Sequence, residues 1–264
     1  MIRYYSTNRR LAGVDGITPF KGQVSFRDAL IQGQAPDEGL FMPEPIPALS
    51  IGEVLALKGA PYAETALLVA EAFLKDELPR EALREIVEDS YNFDVPLERV
   101  SGRLYIMRLD RGPTASFKDF AARMMARLMS RMRDRGKRLN VLVATSGDTG
   151  SAVGEAFKGV EGIGVTILYP RGEVSGMQKK QLDTIGGNVL ALSVDGKFDD
   201  CQDLVKQAFS DPGLAHLNLT SANSINFGRI LPQSVYYVYA YGRLAEPGEE
   251  IVFSVPSGNF GNAL

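Results

Sequence analysis

Apolar and polar residues follow two different patterns along the chain, and the change falls near residue 95. Before it, apolar residues at helical spacing predict short amphipathic helices over 24–33, 62–74 and 80–91, with a Pro- and Gly-rich loop over 34–47. We therefore expect residues 1–95 to form a small, mainly helical domain and residues 96–264 to form a second one.

From residue 104 onward, short apolar runs alternate with amphipathic segments. This alternation predicts βαβ units, and hence an α/β fold with twisted parallel sheets flanked by helices. Ligands of such sheets bind where strands end and loops lead into helices. The expected strands are 104–109, 140–144, 164–169, 189–194, 217–220 and 250–255, and the expected helices are 117–135, one after residue 147, 176–185, 199–209 and 225–241.

A turn at Gly112–Pro113 leads into a long helix with a lysine at its start. Ser116 and Asp119, three residues apart, have the spacing of a capping box, so we expect the helix to begin at Phe117. Lys118 then lies in the first turn, where the helix dipole disfavours a cation. Two interpretations stay open: a surface lysine with its ammonium in water, or an amine that attacks a carbonyl group.

Composition and charge exclude several classes of protein. The 264 residues carry a net charge of −3 with interspersed signs, which is typical of a globular protein without a nucleic-acid partner. Arg123, Arg127 and Arg131 are interpreted as the solvated side of the helix after Lys118. The sequence has no apolar run of membrane length and no secretory pattern, so we expect a cytoplasmic protein without a membrane partner.

The scarcity of cysteine and histidine limits the chemistry further. A single cysteine, Cys201, excludes an internal disulfide framework and a cysteine-rich zinc site, and no metal is expected. The single histidine, His216, lies among apolar residues and is expected to be packed in a strand rather than to act as a base. Acid–base chemistry would then fall to lysine, aspartate or a cofactor.

Three loops at predicted strand ends have compositions suited to anions. Thr145–Ala152 and Pro256–Asn262 combine glycines with hydroxyl or amide side chains before a helix, which is the composition of either an anion site or a capped turn. In the third loop, Asn226 and Arg229 lie three residues apart and could hold one anion together, or serve as a cap and a surface charge. With Lys118, these loops indicate a carbonyl cofactor that carries phosphate, and pyridoxal phosphate fits.

Four motifs in order along the chain resemble those of the threonine synthase family. That family has the tryptophan-synthase-β-like pyridoxal phosphate fold, and the segments Tyr5–Thr7 and Val24–Glu44 are also similar to it. The resemblance therefore covers nearly the whole chain. The motifs are Gly112–Phe120, Ala144–Ala152, Asn223–Gln233 and Pro256–Asn262.

The resemblance implies a role for each matching residue. Lys118 would form the Schiff base with the cofactor and act in catalysis, and Asp148 would lie near the cofactor's 3′-oxygen. Asn226 and Arg229 are the candidates for the substrate phosphate. The cofactor phosphate would be held by Gly258, Asn259, Phe260, Gly261 and Asn262, and the substrate carboxylate by Ser146, Gly147 and Thr149.

The implied reaction converts O-phospho-L-homoserine and water to L-threonine and phosphate, in a monomer or homodimer. A related dehydratase or phospho-lyase, or a non-catalytic fragment or paralogue that binds phosphate esters, remains an alternative. The family continues well beyond the last motif, whereas this chain stops at Leu264, inside the next expected helix. We therefore expect the domain to be incomplete at its carboxyl end.

Overall fold

The amino-terminal part of the chain combines helices with a small antiparallel sheet. The computed structural model describes residues 1–11, 13–14, 16–258 and 260–263. The strands are β1 (Arg3–Ser6), β2 (Gln23–Val24) and β3 (Phe41–Glu44), in the order β2-β1-β3. The helices are α1 (Phe26–Gln32), α2 (Ile51–Ala56), α3 (Tyr62–Leu74) and α4 (Arg80–Ser90).

The prediction of a loop over 34–47 is wrong at its centre, where β3 pairs with β1. The proline in this segment caused the error, because proline cannot donate to a sheet ladder and is normally read as a sign of a loop. β3 lies at the edge of its sheet, where a strand accepts proline, and Pro43 pairs with Tyr4 there. The amino-terminal part is mainly helical, as expected, with this small sheet added to the helices.

A second antiparallel pair separates the two parts of the chain. It consists of β4 (Leu97–Ser101) and β5 (Leu104–Met107), joined at Gly102, whose φ of +51° favours glycine. The segment 104–109 was expected to belong to the parallel sheet. Instead it pairs with its neighbour in sequence, which satisfies its backbone groups locally, and two of its apolar side chains, Leu104 and Ile106, remain exposed.

The parallel sheet expected from the alternating pattern is confirmed. Its strands are β6 (Leu139–Ala144), β7 (Ile163–Pro170), β8 (Val189–Val194) and β9 (Leu219–Ser221). In the described part of the chain they are ordered β8-β7-β6-β9, and Val141 of β6 pairs with Val165 on one side and with Thr220 on the other. The carboxyl ends of β6 and β9 therefore lie side by side.

Helices cover both faces of this sheet. They are α5 (Lys118–Met132), α6 (Asp148–Phe157), α7 (Gly176–Thr184), α8 (Phe198–Ser210) and α9 (Phe227–Leu244), with a 3₁₀ helix over Pro212–Leu217. Val141 and Val143 point into the main apolar cluster with α5 and α6, while Leu142 packs against Cys201 and Val205 of α8. This alternation follows from the two-residue repeat of a strand.

α5 connects the sheet to the amino-terminal part. Its Phe120 ring lies 5.3 Å from that of Tyr62 in α3, and Tyr62 is 5.0 Å from Tyr239 in α9. Apolar residues of both parts thus belong to one buried cluster. The division of the chain at residue 95 stays a prediction.

Arg123 and Arg127 of α5 are half-buried rather than on the solvated face that the sequence suggested, whereas Arg131 is exposed as expected. Arg123 donates to the Ser90 carbonyl at 2.6 Å, and Arg127 donates to the Asp89 carboxylate at 2.7 Å. Arg131 is paired with Glu85. The last carbonyl groups of a helix lack partners within it, so Arg123 caps the carboxyl end of α4, while Arg127 and Arg131 pair with carboxylates of that helix.

Two further expectations are wrong. Residues 250–255 form no strand in the described structure, because no neighbouring strand pairs with them, and Val252 is 93% exposed. His216 lies on the 3₁₀ helix rather than in a strand, and its exposed ring contacts the Gly213 carbonyl. Across the described ranges, no helix is both long enough and apolar enough to cross a bilayer.

Candidate active site

A cavity of about 590 Å³ opens at the carboxyl ends of β6 and β9, within the size range of small-molecule sites. Its walls come from the start of α5, the loop after β6, α7, α8, the loop after β9 and the 256–262 loop. This is where a parallel sheet was expected to carry its ligand. Lys118 is one of the lining residues.

Lys118 is the first residue of α5, one position later than the predicted helix start. Its Nζ lies 4.2 Å from the centre of the Phe117 ring and 3.6 Å from an oxygen of Asp148. Its side chain is 24% exposed. The amine is therefore held between an aromatic face and a carboxylate, and it opens onto the cavity rather than into bulk water.

The turn before Lys118 is fixed by Asp119 and not by a capping box. The Asp119 carboxylate accepts hydrogen bonds from the Thr114 backbone N–H at 2.9 Å and the Thr114 hydroxyl at 2.7 Å. Burial raises the pKa of Asp119, and these hydrogen bonds oppose the rise. A Cβ at Gly112 would lie 2.4 Å from the same carboxylate, so only glycine permits this approach.

Ser116 does not cap the helix as predicted. Phe117 occupies the N-cap position with helical backbone angles and makes no side-chain cap hydrogen bond, while the Ser116 hydroxyl accepts weakly from the Lys118 N–H at 3.3 Å. Ala115 has a φ of +55°, which is strained for a residue with a side chain. Asp119 instead reaches back to Thr114 across this strained turn.

The loop after β6 brings Ser146, Gly147, Asp148 and Thr149 together on the cavity wall. The Thr145 hydroxyl accepts from the N–H groups of Gly147 and Gly150, at 3.0 and 2.9 Å, and so fixes the turn into α6. The start of α6 then faces the cavity with backbone N–H groups and the positive end of the helix dipole. Such a terminus suits a carboxylate or phosphate group.

The 256–262 loop contributes Ser257, Gly258 and Asn262 to the same cavity. The Ser257 hydroxyl bridges the loop by donating to the Asn262 side chain at 2.5 Å and accepting the Phe260 N–H at 2.9 Å. The Phe260 side chain is exposed, and Gly261 lines a second groove behind the loop. Asn259, also expected to hold the cofactor phosphate, lies outside the described residues.

The Asn226 side chain, a candidate for the substrate phosphate, makes three hydrogen bonds within the fold. It is the N-cap of α9, where its side-chain oxygen accepts the Gly228 N–H and its amide donates to the carbonyls of Leu30 and Ser221, all at 2.9 Å. Both amide hydrogens are therefore committed to the fold. The residue that sequence reasoning underrated is Asn223, which lines the cavity and donates to the Ala144 carbonyl at 3.0 Å. Its position directly after β9 was the available signal.

Arg229 is 4% exposed and does not line the cavity. Its Nε and Nη1 atoms are buried without a hydrogen-bond partner. Burial lowers the pKa of Arg229 to about 10, although the negative charge of Asp119 opposes the fall. A buried cation with two unsatisfied donors is costly for the fold, and this distinguishes Arg229 from the paired arginines of α5.

Comparison with known proteins gives two matching family models. Residues 16–91 match the model described as "Threonine synthase N terminus", and residues 92–263 match the one described as "Pyridoxal-phosphate dependent enzyme". The threonine synthase of Haemophilus influenzae is 46% identical over 243 residues, and that of Escherichia coli is 43% identical over 242. Each alignment covers 91% of this chain and 56% of the relative, so the chain spans about half their length.

Solved structures agree with these similarities. The crystal structure of threonine synthase from Escherichia coli superposes with a TM-score of 0.88 at 40% identity, covering 99% of this chain and 59% of that one. A structure of pyridoxal-phosphate-bound threonine synthase from Brucella melitensis also has a TM-score of 0.88, at 38% identity, and the match covers 99% of this chain and 56% of that one.

Proposed function

The chain belongs to the family of pyridoxal-phosphate-dependent enzymes, and from this premise we propose that it forms the cofactor-binding part of a threonine synthase. The reaction proposed is the conversion of O-phospho-L-homoserine and water to L-threonine and phosphate. We propose a cytoplasmic protein that is a monomer or a homodimer. The observation that carries the proposal is the amine of Lys118, which lines the same cavity as two turns suited to anions.

The donor set of the cavity fits a cofactor that carries an aldehyde and a phosphate. Lys118 offers one amine to the aldehyde, and the turn around Ser257 and Gly258 offers backbone and hydroxyl groups to the phosphate. The N-terminus of α6 is a second anion site, available for the carboxylate of an amino acid substrate. When bound, pyridoxal phosphate supplies an electron sink for carbanion chemistry at the substrate.

In this proposal the protein's own groups bind the substrate and move its protons. Ser146, Gly147 and Thr149 orient the substrate carboxylate at the start of α6. Lys118 takes the proton from the substrate α-carbon and later returns it, because no histidine lines the described cavity wall to serve as a base. Asp148 is the carboxylate paired with the Lys118 amine, at 3.6 Å. Arg229 supplies positive charge for the departing phosphate from within the core, since it does not line the cavity.

Trapping of the cofactor tests the role of Lys118. We expect pyridoxal 5′-phosphate, added to the purified chain and reduced with borohydride, to be found by peptide mass spectrometry on Lys118. Lys206 lines the same cavity and provides the matched control. The Lys118→Ala variant should lose the label and the Lys206→Ala variant should keep it. Labelling of Lys206 instead, or no labelling at all, would refute the assignment.

Product analysis separates the proposed reaction from its relatives. Incubation with O-phospho-L-homoserine should release phosphate and threonine in equal amounts. Release of phosphate with an oxo acid in place of threonine would indicate a phospho-lyase. Formation of the Lys118 adduct without any release of phosphate would favour a binding role for this chain.

A further inference from the structure

Gln178 connects the starts of two helices at the rim of the cavity. Its side-chain oxygen accepts the Ser175 N–H at 3.0 Å, which completes the capping box of α7. Its side-chain nitrogen donates to one oxygen of Asp148 at 2.8 Å. A Cβ at Gly147 would lie 2.4 Å from that nitrogen, so the amide lies directly against the turn into α6. Both ends of the Gln178 amide are therefore engaged.

The other oxygen of Asp148 faces the amine of Lys118 at 3.6 Å. This separation is longer than the roughly 2.7–2.9 Å of a hydrogen bond between an ammonium and a carboxylate. The Asp148 side chain is 48% exposed, so packing alone does not restrain it. The other charged side chain on the described cavity wall is Lys206, which pairs with Asp203 on its own helix at 3.2 Å.

We propose that Gln178 is a positioning residue that holds the Asp148 carboxylate back from a hydrogen-bonded ion pair with Lys118, and so keeps the amine available to attack a carbonyl. This inference rests on the proposed role of Lys118. Without the Gln178 donor, the carboxylate is free to turn towards the lysine and close the ion pair. A closed pair stabilises the ammonium, which is not a nucleophile.

Two substitutions separate the contributions of the amide. Gln178→Ala removes the restraint on Asp148. Gln178→Glu keeps the shape of the side chain and its acceptor for Ser175, but it cannot donate and it adds a negative charge that pushes Asp148 towards Lys118. Gln181→Ala, on the same helix but away from the cavity wall, is the matched control.

The first measurement is made on the protein without cofactor. Lys118 is methylated with formaldehyde and cyanoborohydride across a pH series, and its modification is followed by peptide mass spectrometry. Since an opposite charge within a few ångströms favours the ionised form and solvent weakens the effect, we expect the pH midpoint to rise by about half a unit in Gln178→Ala and about one unit in Gln178→Glu. Gln181→Ala should match the wild type.

The second measurement is the rate of Schiff-base formation with pyridoxal 5′-phosphate at neutral pH. The same midpoint shifts correspond to rates about threefold and about tenfold lower, and high salt should narrow both differences. Unchanged methylation profiles in both Gln178 variants would overturn the inference even if cofactor capture slowed, since Gln178 would then act on the cofactor directly. A wild-type chain that forms no Schiff base would overturn the proposed function as well.

Discussion

Replacement of Arg229 by methionine should make the protein more stable, although the residue is buried. The guanidinium lies in the core with Nε and Nη1 unpartnered, on a helix that contacts α5. Methionine is shorter than arginine but is unbranched and flexible, and it has no polar hydrogen to satisfy. The substitution therefore removes the cost of a buried charge while filling much of the same volume.

The size of the effect follows from the pKa of Arg229. Its fall to about 10 from the ordinary arginine value corresponds to roughly 3 kcal/mol against the charged form, at 1.36 kcal/mol per pKa unit. The attraction to Asp119 is already contained in this value. Imperfect packing of the new side chain reduces the gain, so we expect an increase of about 1–3 kcal/mol in the free energy of unfolding at neutral pH.

Denaturant unfolding of the wild type and the variant, with and without inorganic phosphate, measures the effect of Arg229 on stability and on phosphate binding. If this arginine attracts the substrate phosphate, phosphate should raise the midpoint of the wild type and have much less effect on Arg229→Met. Arg243 on the same helix is the control. Its Nε is also without a partner, but its guanidinium donates to the Ala60 carbonyl at 2.5 Å and lies 4.9 Å from the centre of the Tyr239 ring. Arg243→Met should lose about 1 kcal/mol.

This reasoning would be refuted if Arg229→Met lowered the free energy of unfolding by at least as much as Arg243→Met does. That result would mean that the guanidinium is satisfied in solution. An equal response to phosphate in both proteins would separately refute the role of Arg229 in attracting phosphate.

Three further predictions concern buried residues of the fold. Burial tends to raise the pKa of Asp37, but hydrogen bonds from Ser6 and from backbone N–H groups outweigh burial and lower the pKa. The Asp37 carboxylate therefore stabilises the fold above about pH 4, and this contribution disappears as the pH falls. In unfolding curves across pH, Asp37→Asn should be less stable than the wild type above that pH, and the difference should vanish in acid. Gly150→Ala should cost about 1–3 kcal/mol, measured by denaturant, because the new Cβ would lie 2.9 Å from the Leu182 side chain and closer still to Thr145. Asp119→Ala should cost about 2–3 kcal/mol and raise the rate of hydrogen exchange in residues 112–118, since it leaves the two Thr114 donors without an acceptor. Equal exchange rates in the variant and the wild type would show that Asp119 does not hold this turn.

The parallel sheet and its helices could be predicted because each rests on a local pattern. The observed bounds of β7, β8, α7 and α8 lie within one or two residues of the expected ones. Buried apolar runs followed by amphipathic segments can be recognised directly in a sequence. The cavity at the strand ends followed from the general topology of parallel sheets. Lys118 was found by its unusual place at a helix start, and the structure keeps it there.

The errors concern residues whose partners are distant in sequence. Nothing local indicates that Arg123 will meet the end of α4, or that segment 250–255 will lack a neighbouring strand. Asn226 was taken as an anion ligand because of its spacing from Arg229, whereas its amide is used to join α9 to Leu30, 196 positions earlier. Sequence spacing shows which side chains share a helix face and not which groups they will satisfy.

The order of strands has a consequence for synthesis of the protein on the ribosome. β9 closes the open edge of β6, although Asn140 and its partner Leu219 are far apart in the chain. While the intervening residues are made, β6 has a free edge and the wall of the cavity next to it is missing. Free strand edges pair readily with other chains, so the nascent protein is vulnerable to aggregation in this interval. Lys118 emerges well before the strand that completes its surroundings.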